Sequence, residues 1–531
     1  MQKAILRYDR GTIVIESLAH IPFATRDPRI NALRAQALYY PDIIEYLKKS
    51  GIEYDDRVFS PDDSGANMAV LMPLGNQQGD SSSAAEGGGA SSTSNRYDDN
   101  FSQPLPLLRD YQQRAIDNWI EAGMRGCVVL PTGSGKTLVG IMAIEKANAA
   151  SLVVVPTLDL MDQWTATLSK YFCTAAAGRV KKIGNLGGGS EEISPITVST
   201  YDSAYLRAAF LGNKFQLVVF DEVHHLAAPG YRMIAEQMAA PFRLGLTATI
   251  EREDSLHVDL PRLVGGVVFQ VAPDVLARQK HLAEYEVERR KVELSPEELA
   301  EYRANMQKYH EGLEKLGWGG RNTSMRYTLS LEKLIMMSGR NPLAREALLA
   351  RNRAANVALN ARSKLEELKE ILAENKGSKS IIFTQHNDMV YEISDRFLIP
   401  FITHKTGKEE RQDVLKGFKE GRYMAIVTSK VLDEGVDVPD AELGIIVSGT
   451  GSAREFIQRL GRLLRPKPRG TGNNDDEGSK KARLIELVSS ETREETITSA
   501  KRRRALKKVR ENNNSGDNNS EKEEAHGNSV C

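Results

Sequence analysis

The sequence is poor in cysteine, has no long apolar run, and carries no excess charge of either sign. Only three cysteines occur in 531 residues, Cys127, Cys173 and Cys531, with no CxxC pair, which supports neither a disulfide framework nor a zinc ribbon and fits a reducing compartment. No stretch approaches the roughly 18 apolar residues of a membrane span. The opening MQKAILRYDRGTIVIES mixes charges among its apolar residues, where a signal peptide would carry an unbroken apolar core. A soluble, cytoplasmic protein is expected. The 71 Lys+Arg balance 71 Asp+Glu, so any nucleic-acid binding must come from local patches, not from a field around the whole molecule.

What is present is enough chain for two or more cores, with 41% hydrophobic and 27% charged residues in the proportions of globular protein. Residues 1–74 predict a small α+β unit: Ile5-Leu6-Arg7-Tyr8, a turn at Asp9-Arg10-Gly11, Thr12-Ile13-Val14-Ile15, then helical spacing through Ile43, Ile44 and Leu47 up to Gly51. Residues 75–100 are dominated by Gly, Ser, Ala, Asn and Gln, a composition that buries too little to order and reads as a flexible linker. From 101 to 280 the apolar runs CVVLP, LVVVP, ITVST, LVVFD and RLGLT alternate with helical stretches, the pattern of a parallel sheet covered on both faces. The pattern restarts over 346–495 with SIIFT, PFITH, MAIVT, LGIIVS and ARLIELV. Between the two, 281–345 reads as a linker and helical insertion opened by the capping box Ser295-Pro296-Glu297-Glu298. Residues 496–531 hold a basic segment and a polar tail.

Two stretches carry chemistry. Cys127-Val128-Val129-Leu130 runs as a strand into Pro131-Thr132-Gly133-Ser134-Gly135-Lys136-Thr137, and a helix follows. In that context Gly133, Ser134 and Gly135 let backbone N–H groups close on phosphate oxygens, Lys136 supplies charge to the β/γ-phosphates, and the Thr137 hydroxyl is a Mg²⁺ ligand. Leu130 stands where this phosphate-loop pattern has its first glycine. The second stretch, Asp221-Glu222-Val223-His224-His225, admits two chemistries. Zinc binding of the HExxH kind needs histidines one helical turn apart, whereas His224 and His225 are adjacent behind the strand Leu217–Phe220. ATP hydrolysis fits better: Asp221 at the strand end holds Mg²⁺, Glu222 orients or deprotonates water, His224 couples the loop to neighbouring motifs, and His225 packs.

From Leu107 to about Val488 the chain resembles the superfamily 2 helicases. Leu108-Arg109-Asp110-Tyr111-Gln112 is similar to their nucleotide-side glutamine region, which implies that Gln112 binds ATP. PTGSGKT is similar to motif I, Val155-Pro156-Thr157 with Gln163-Trp164 to motif Ia, Thr197–Tyr201 to Ib, DEVHH to II, and Leu246-Thr247-Ala248-Thr249 to III. Ile382-Phe383-Thr384 resembles motif IV, Thr428-Ser429-Lys430 to Asp437 motif V, and Gln458-Arg459-Leu460-Gly461-Arg462-Leu463-Leu464-Arg465 motif VI. The resemblance implies two tandem RecA-like domains with ATP and Mg²⁺ as cofactors. It makes Arg462 and Arg465, with Gln458 beside them, fingers that stabilise charge on the transferring phosphoryl group, and Thr157, Thr200, Thr384 and Lys430 strand contacts.

Within that superfamily the match is closer to the XPB type, in its shorter archaeal-like form. Arg252-Glu253-Asp254 directly after motif III matches the signature of that type and implies contact with the duplex at a fork; the helical insertion sits where a thumb-like element is expected, and residues 1–74 where a damage-recognition domain is placed. The implied activity is an ATP-dependent DNA helicase or translocase moving 3′ to 5′ on single-stranded and forked DNA, chromosome-associated, nuclear in a eukaryote. It implies nucleotide excision repair, with transcription as a second setting, and a nuclease as a partner. An RNA helicase or the motor subunit of a nuclease or restriction complex remain alternatives. The tail KRRRALKKVR is open to three readings: a DNA-backbone contact, a localisation signal, or the solvated end of a helix.

Overall fold

The computed structural model describes residues 3–17, 20–59, 106–173, 182–250, 256–279, 285–318, 331–429, 441–449 and 482–498. The expected linker 75–100 and the basic segment 501–510 lie outside the described residues. The chain divides into two compact units, one of Met1–Leu130 with Gly135–Gln270 and one of Val271–Cys531 with the short segment Pro131–Ser134.

The first unit opens with an α+β layer. Strands β1 (Ala4–Asp9) and β2 (Thr12–Glu16) pair antiparallel with Asp9 opposite Thr12, leaving Arg10-Gly11 as a two-residue turn. Both turn residues have positive φ, 43° and 89°, the conformation a tight hairpin demands and the reason glycine sits second. β3 (Thr25–Asp27), β4 (Ala32–Gln36) and β5 (Tyr54–Asp56) complete the order β3-β4-β2-β1-β5. The helix Tyr40–Lys49 packs Tyr40, Ile43 and Leu47 onto this sheet and ends before Gly51, whose φ of 62° a side chain would strain. β5 returns parallel to β1, a pairing between distant segments that no local pattern announces.

This layer is fastened to the rest of the unit through main-chain acceptors. The Tyr8 hydroxyl reaches the carbonyls of Ala209 at 2.8 Å and Gln237 at 3.0 Å, and Asn213 donates to the carbonyl of Val58 at 3.1 Å. Leu38 joins the core of the larger sheet, and Ala239 joins that of the small one.

The larger sheet comprises β6 (Arg125–Val129), β7 (Ser151–Val155), β8 (Gly184–Gly187), β9 (Ser190–Glu191), β10 (Ile196–Thr200), β11 (Leu217–Asp221), β12 (Phe242–Thr247) and β13 (Val267–Gln270). Their order is β13-β6-β12-β11-β7-β10-β8-β9, parallel throughout except for β8 with β9. The five apolar runs are β6, β7, β10, β11 and β12. All five residues of β7, β10 and β11 are buried, as a strand covered on both faces requires. On β12, Arg243 is buried and donates to the carbonyls of Met238, Ala240 and Leu263, so one guanidinium ties the segment before β12 to the end of the helix Leu260–Leu263.

The second unit has β14 (Tyr285–Val292), β15 (Ser380–Phe383), β16 (Phe401–Ile402), β17 (Ala425–Thr428), β18 (Leu443–Ile446) and β19 (Ala482–Ser489), all parallel in the order β14-β19-β18-β15-β17-β16. β15 to β19 are the five expected runs. β14 corrects the sequence expectation: residues 285–292 fell within the expected linker, but they pair along the whole of β19. Their charges hid them, since Arg289 meets buried Glu486 at 3.0 Å while Arg290 bonds Glu288 and Glu374, an edge strand protected by ion pairs. The capping box forms as expected and starts the helix Pro296–Lys315. That helix lies against Pro342–Leu359, with Tyr302 on Ala354 and Ala358 and with Gly312 so close that a Cβ there would stand 2.8 Å from Ala347 Cβ.

Docking of the N-terminal layer has a direct test. A methyl at Gly212 would lie 1.9 Å from the Tyr8 oxygen and 2.3 Å from the Gln237 carbonyl. Gly212→Ala is expected to lower the first thermal transition and raise amide exchange across 4–56, with Tyr8→Phe a weaker version costing about 1–3 kcal/mol for the carbonyls left bare. Unchanged exchange in both variants would show that these contacts do not hold the layer.

Candidate active site

Parallel register brings the C-terminal strand ends of the larger sheet to one edge. Thr200 is level with Val155, Val154 with Phe220, Asp221 with Leu246, and Val129 with Thr247. In open parallel sheets ligands bind outside this edge. Leu130 prolongs β6 by donating its amide to the Thr247 carbonyl at 2.9 Å and is fully buried. The position that departs from the phosphate-loop pattern is therefore a core residue needing no glycine. Gly133 and Gly135, at φ 82° and 84°, are the two places where the loop takes a left-handed turn. Gly135 starts the helix Lys136–Ala147, which sets Lys136 in its first turn and Thr137, half-buried, beside it. Gln112 is buried, accepts the Arg109 amide on Oε1 at 3.0 Å, and points Nε2 at the Gly135 carbonyl 3.5 Å away.

Asp221 and Glu222 follow β11 to the same edge. Asp221 Oδ2 accepts the Trp164 indole N–H at 2.8 Å, Oδ1 accepts the Glu222 amide at 3.0 Å, and the Asp221 carbonyl accepts the Tyr201 hydroxyl at 3.1 Å. Burial, and after it the charge of Glu222, push the Asp221 carboxyl up to about 6, while the Trp164 hydrogen bond and Lys136 pull the other way. Glu222 itself stands at φ 48°, a left-handed backbone that costs a non-glycine residue energy and aims its carboxylate back over the loop. There Oε1 lies 3.8 Å from Lys136 Nζ, and Oε2 lies 3.3 Å from Thr247 Oγ1 and 3.5 Å from His224 Nδ1. His224 is buried with Nδ1 3.2 Å from Thr247 Oγ1, tying the acidic pair to the strand β12, and the His225 ring rests 5.7 Å from Tyr201.

The expected strand contacts fall into two kinds. Thr157 and Thr200 cap the helices Leu158–Phe172 and Tyr201–Leu206, accepting from the Leu160 and Ser203 amides at 3.3 Å each. Thr384 is buried and donates to the His386 carbonyl at 3.0 Å, so its side chain is turned inward. Arg252, Glu253, Asp254, Lys430, Gln458, Arg462 and Arg465 lie outside the described residues. Sequence reasoning had Trp164 only as part of a motif and gave Tyr201 no role of its own. The one signal the sequence offered was the tryptophan itself, whose N–H needs a partner once it is buried; which partner is set by the fold.

Family models place this geometry. The "Type III restriction enzyme, res subunit" model matches residues 106–252, the "Xeroderma pigmentosum group B helicase damage recognition domain" model residues 6–58, and the "Helicase conserved C-terminal domain" model residues 363–467. The DNA 3'-5' translocase XPB2 of Sulfurisphaera tokodaii is 38% identical over 495 residues, spanning 92% of this chain and 97% of that one. The chain belongs to the XPB family of superfamily 2 helicases. A DNA 3'-5' helicase XPB of Kineococcus radiotolerans is 31% identical over 73% of this chain and 60% of its own. The general transcription and DNA repair factor IIH helicase/translocase subunit XPB/SSL2 of Saccharomyces cerevisiae is 27% identical over 74% of this chain and 43% of its own. The fold is the expected one: two tandem parallel-sheet α/β domains, with the N-terminal XPB layer on the first.

The donors at the strand edge suit a nucleotide and Mg²⁺. One buried carboxylate, one hydroxyl at a helix start, one lysine and two left-handed glycines are hard-oxygen and phosphate chemistry, with no sulfur ligand among them. Because Asp221 holds its proton more tightly folded than unfolded, its contribution to stability is full below the usual carboxylate range and declines as pH rises toward about 6. Asp221→Asn is expected to raise the thermal midpoint of nucleotide-free protein at pH 8 and to give a smaller gain at pH 4. A gain independent of pH would mean that burial does not raise this carboxyl.

Proposed function

We propose that the chain is an ATP-dependent DNA motor that moves 3′ to 5′ and separates strands, acting in nucleotide excision repair and in transcription. The observation that carries this reading is one sheet edge that holds both halves of the task. Glu222 Oε1 lies 3.8 Å from Lys136 Nζ and the Glu222 amide donates to Asp221 Oδ1 at 3.0 Å, and the caps Thr157 and Thr200 stand at the ends of the neighbouring strands β7 and β10.

In this reading Lys136 neutralises charge on the β/γ-phosphates, the amides from Gly133 to Thr137 close on the phosphate oxygens, and Gln112 fixes the loop from behind and contacts the nucleotide. Asp221 and Thr137 hold Mg²⁺, which when bound screens the phosphate charge. Glu222 orients water and takes its proton, aimed by Thr247 and His224. Gln458, Arg462 and Arg465 supply the positive charge that stabilises the phosphoryl group in transit. Thr157, Thr200, Lys430 and the main chain around Thr384 grip phosphate and sugar, contacts that carry no sequence information and suit a motor that walks on any DNA. Arg252, Glu253 and Asp254 part the duplex at a fork. A nuclease acts beside the motor, since strand separation alone does not remove a lesion.

The test is steady-state ATP hydrolysis without nucleic acid and with single-stranded DNA, duplex DNA or RNA, beside Glu222→Gln. DNA is expected to stimulate, and the variant to lose about 10²–10⁴-fold while still binding ATP. Stimulation by RNA alone would overturn the choice of track, and a Glu222→Gln enzyme at parental rate would overturn the role of that carboxylate.

A further inference from the structure

We propose that Trp164 and Tyr201 are positioning residues through which the strand-facing caps Thr157 and Thr200 set the geometry of Asp221, and so couple strand binding to nucleotide binding. The inference rests on the proposed contact of those two threonines with a nucleic-acid strand.

Its basis is a convergence. Thr157 caps the helix Leu158–Phe172, and two turns further along that helix Trp164 donates its indole N–H to Asp221 Oδ2 at 2.8 Å. Thr200 caps the helix Tyr201–Leu206, and its neighbour Tyr201 donates its hydroxyl to the Asp221 carbonyl at 3.1 Å. Two elements facing the strand thus end on one residue, one holding its carboxylate and the other its main chain. Both side chains are 1% exposed, so neither touches a strand itself.

Neither ring has room to move independently of its helix. A Cβ at Gly140, on the helix that follows the phosphate loop, would stand 2.5 Å from Trp164 Cη2 and 3.3 Å from Cζ3, so the indole lies directly against that helix. Tyr201 lies 5.3 Å from Tyr231 and 6.5 Å from Phe220, ring to ring. When a cap hydroxyl turns toward a strand phosphate it gives up part of its bond to the Leu160 or Ser203 amide, and the first turn of its helix shifts. In a close-packed interior that shift passes to Trp164 and Tyr201 and reorients Asp221, together with the Glu222 amide bonded to it. The coupling is reciprocal by thermodynamic necessity: nucleotide held at Asp221 must change strand affinity by the same factor.

The experiment measures that factor without catalysis. Affinities are determined for a non-hydrolysable ATP analogue with Mg²⁺, with and without single-stranded DNA, and for the DNA with and without the analogue, in the full chain, Tyr201→Phe, Trp164→Phe and Gly140→Ala. The parent is expected to show a coupling factor in the typical range of about 5–150, and Tyr201→Phe and Trp164→Phe to bring it toward one. Gly140→Ala, which keeps the indole N–H but crowds the ring, is expected to fall between. Thr157→Ala and Thr200→Ala, measured for DNA affinity alone, test the underlying reading separately. If they leave DNA affinity unchanged, the strand-contact reading falls. If they weaken it while Tyr201→Phe and Trp164→Phe keep the full factor, the positioning role falls, as it does if Trp164→Phe weakens analogue binding equally with and without DNA. Should Trp164→Phe fail to fold, Tyr201→Phe decides the matter, because it keeps the ring and removes only the hydroxyl.

Discussion

A carboxylate at the buried end of a strand is costly unless its surroundings are built for it, and in this chain they are built around Asp221. It is 6% exposed, next to a second carboxylate, and compensated by an indole N–H, a main-chain amide and the nearby Lys136 ammonium. The remaining surroundings follow from that one requirement. Glu222 accepts a left-handed backbone because the chain must turn at once after β11, and the turn is what carries its carboxylate to Thr247, His224 and Lys136.

Parallel pairing makes this arrangement economical. Five neighbouring strands deliver their C-terminal ends to one line, so a phosphate loop, an acidic pair and two capping threonines become neighbours although they are spread from residue 131 to residue 222 of the chain. The second unit repeats the device, with β15, β17 and β18 adjacent and parallel and with Thr384, Thr428 and Ser448 buried just beyond or at their ends.

The parts of this fold that could be read in the sequence are those whose physics is local. Continuous apolar runs announced every fully covered strand, Arg10-Gly11 announced its hairpin, and Ser295 with Glu298 announced the start of a helix. Strands without a continuous apolar run stayed hidden: β8 is half glycine, β9 spans two residues, and β14 is charged because it is an edge. At the site, residue identity revealed the phosphate loop and the acidic pair, since few other uses exist for them in that order. The bonds from Trp164 and Tyr201 to Asp221 cross 57 and 20 positions of chain, and only the folded sheet makes them neighbours. The inward turn of Thr384 was invisible for the same reason, because a motif position does not say which way a hydroxyl faces.

The attachment of the N-terminal layer has an evolutionary consequence. Its hydrogen bonds from Tyr8 and Asn213 end on the peptide carbonyls of Ala209, Gln237 and Val58, and its closest approach needs only the missing side chain of Gly212. Carbonyls persist under nearly any substitution, so the acceptor side of this seam tolerates change, and only the donors Tyr8 and Asn213 and the missing side chain of Gly212 have to be kept. Lineages can therefore diverge in what the small sheet displays to its surroundings without rebuilding the joint beneath it.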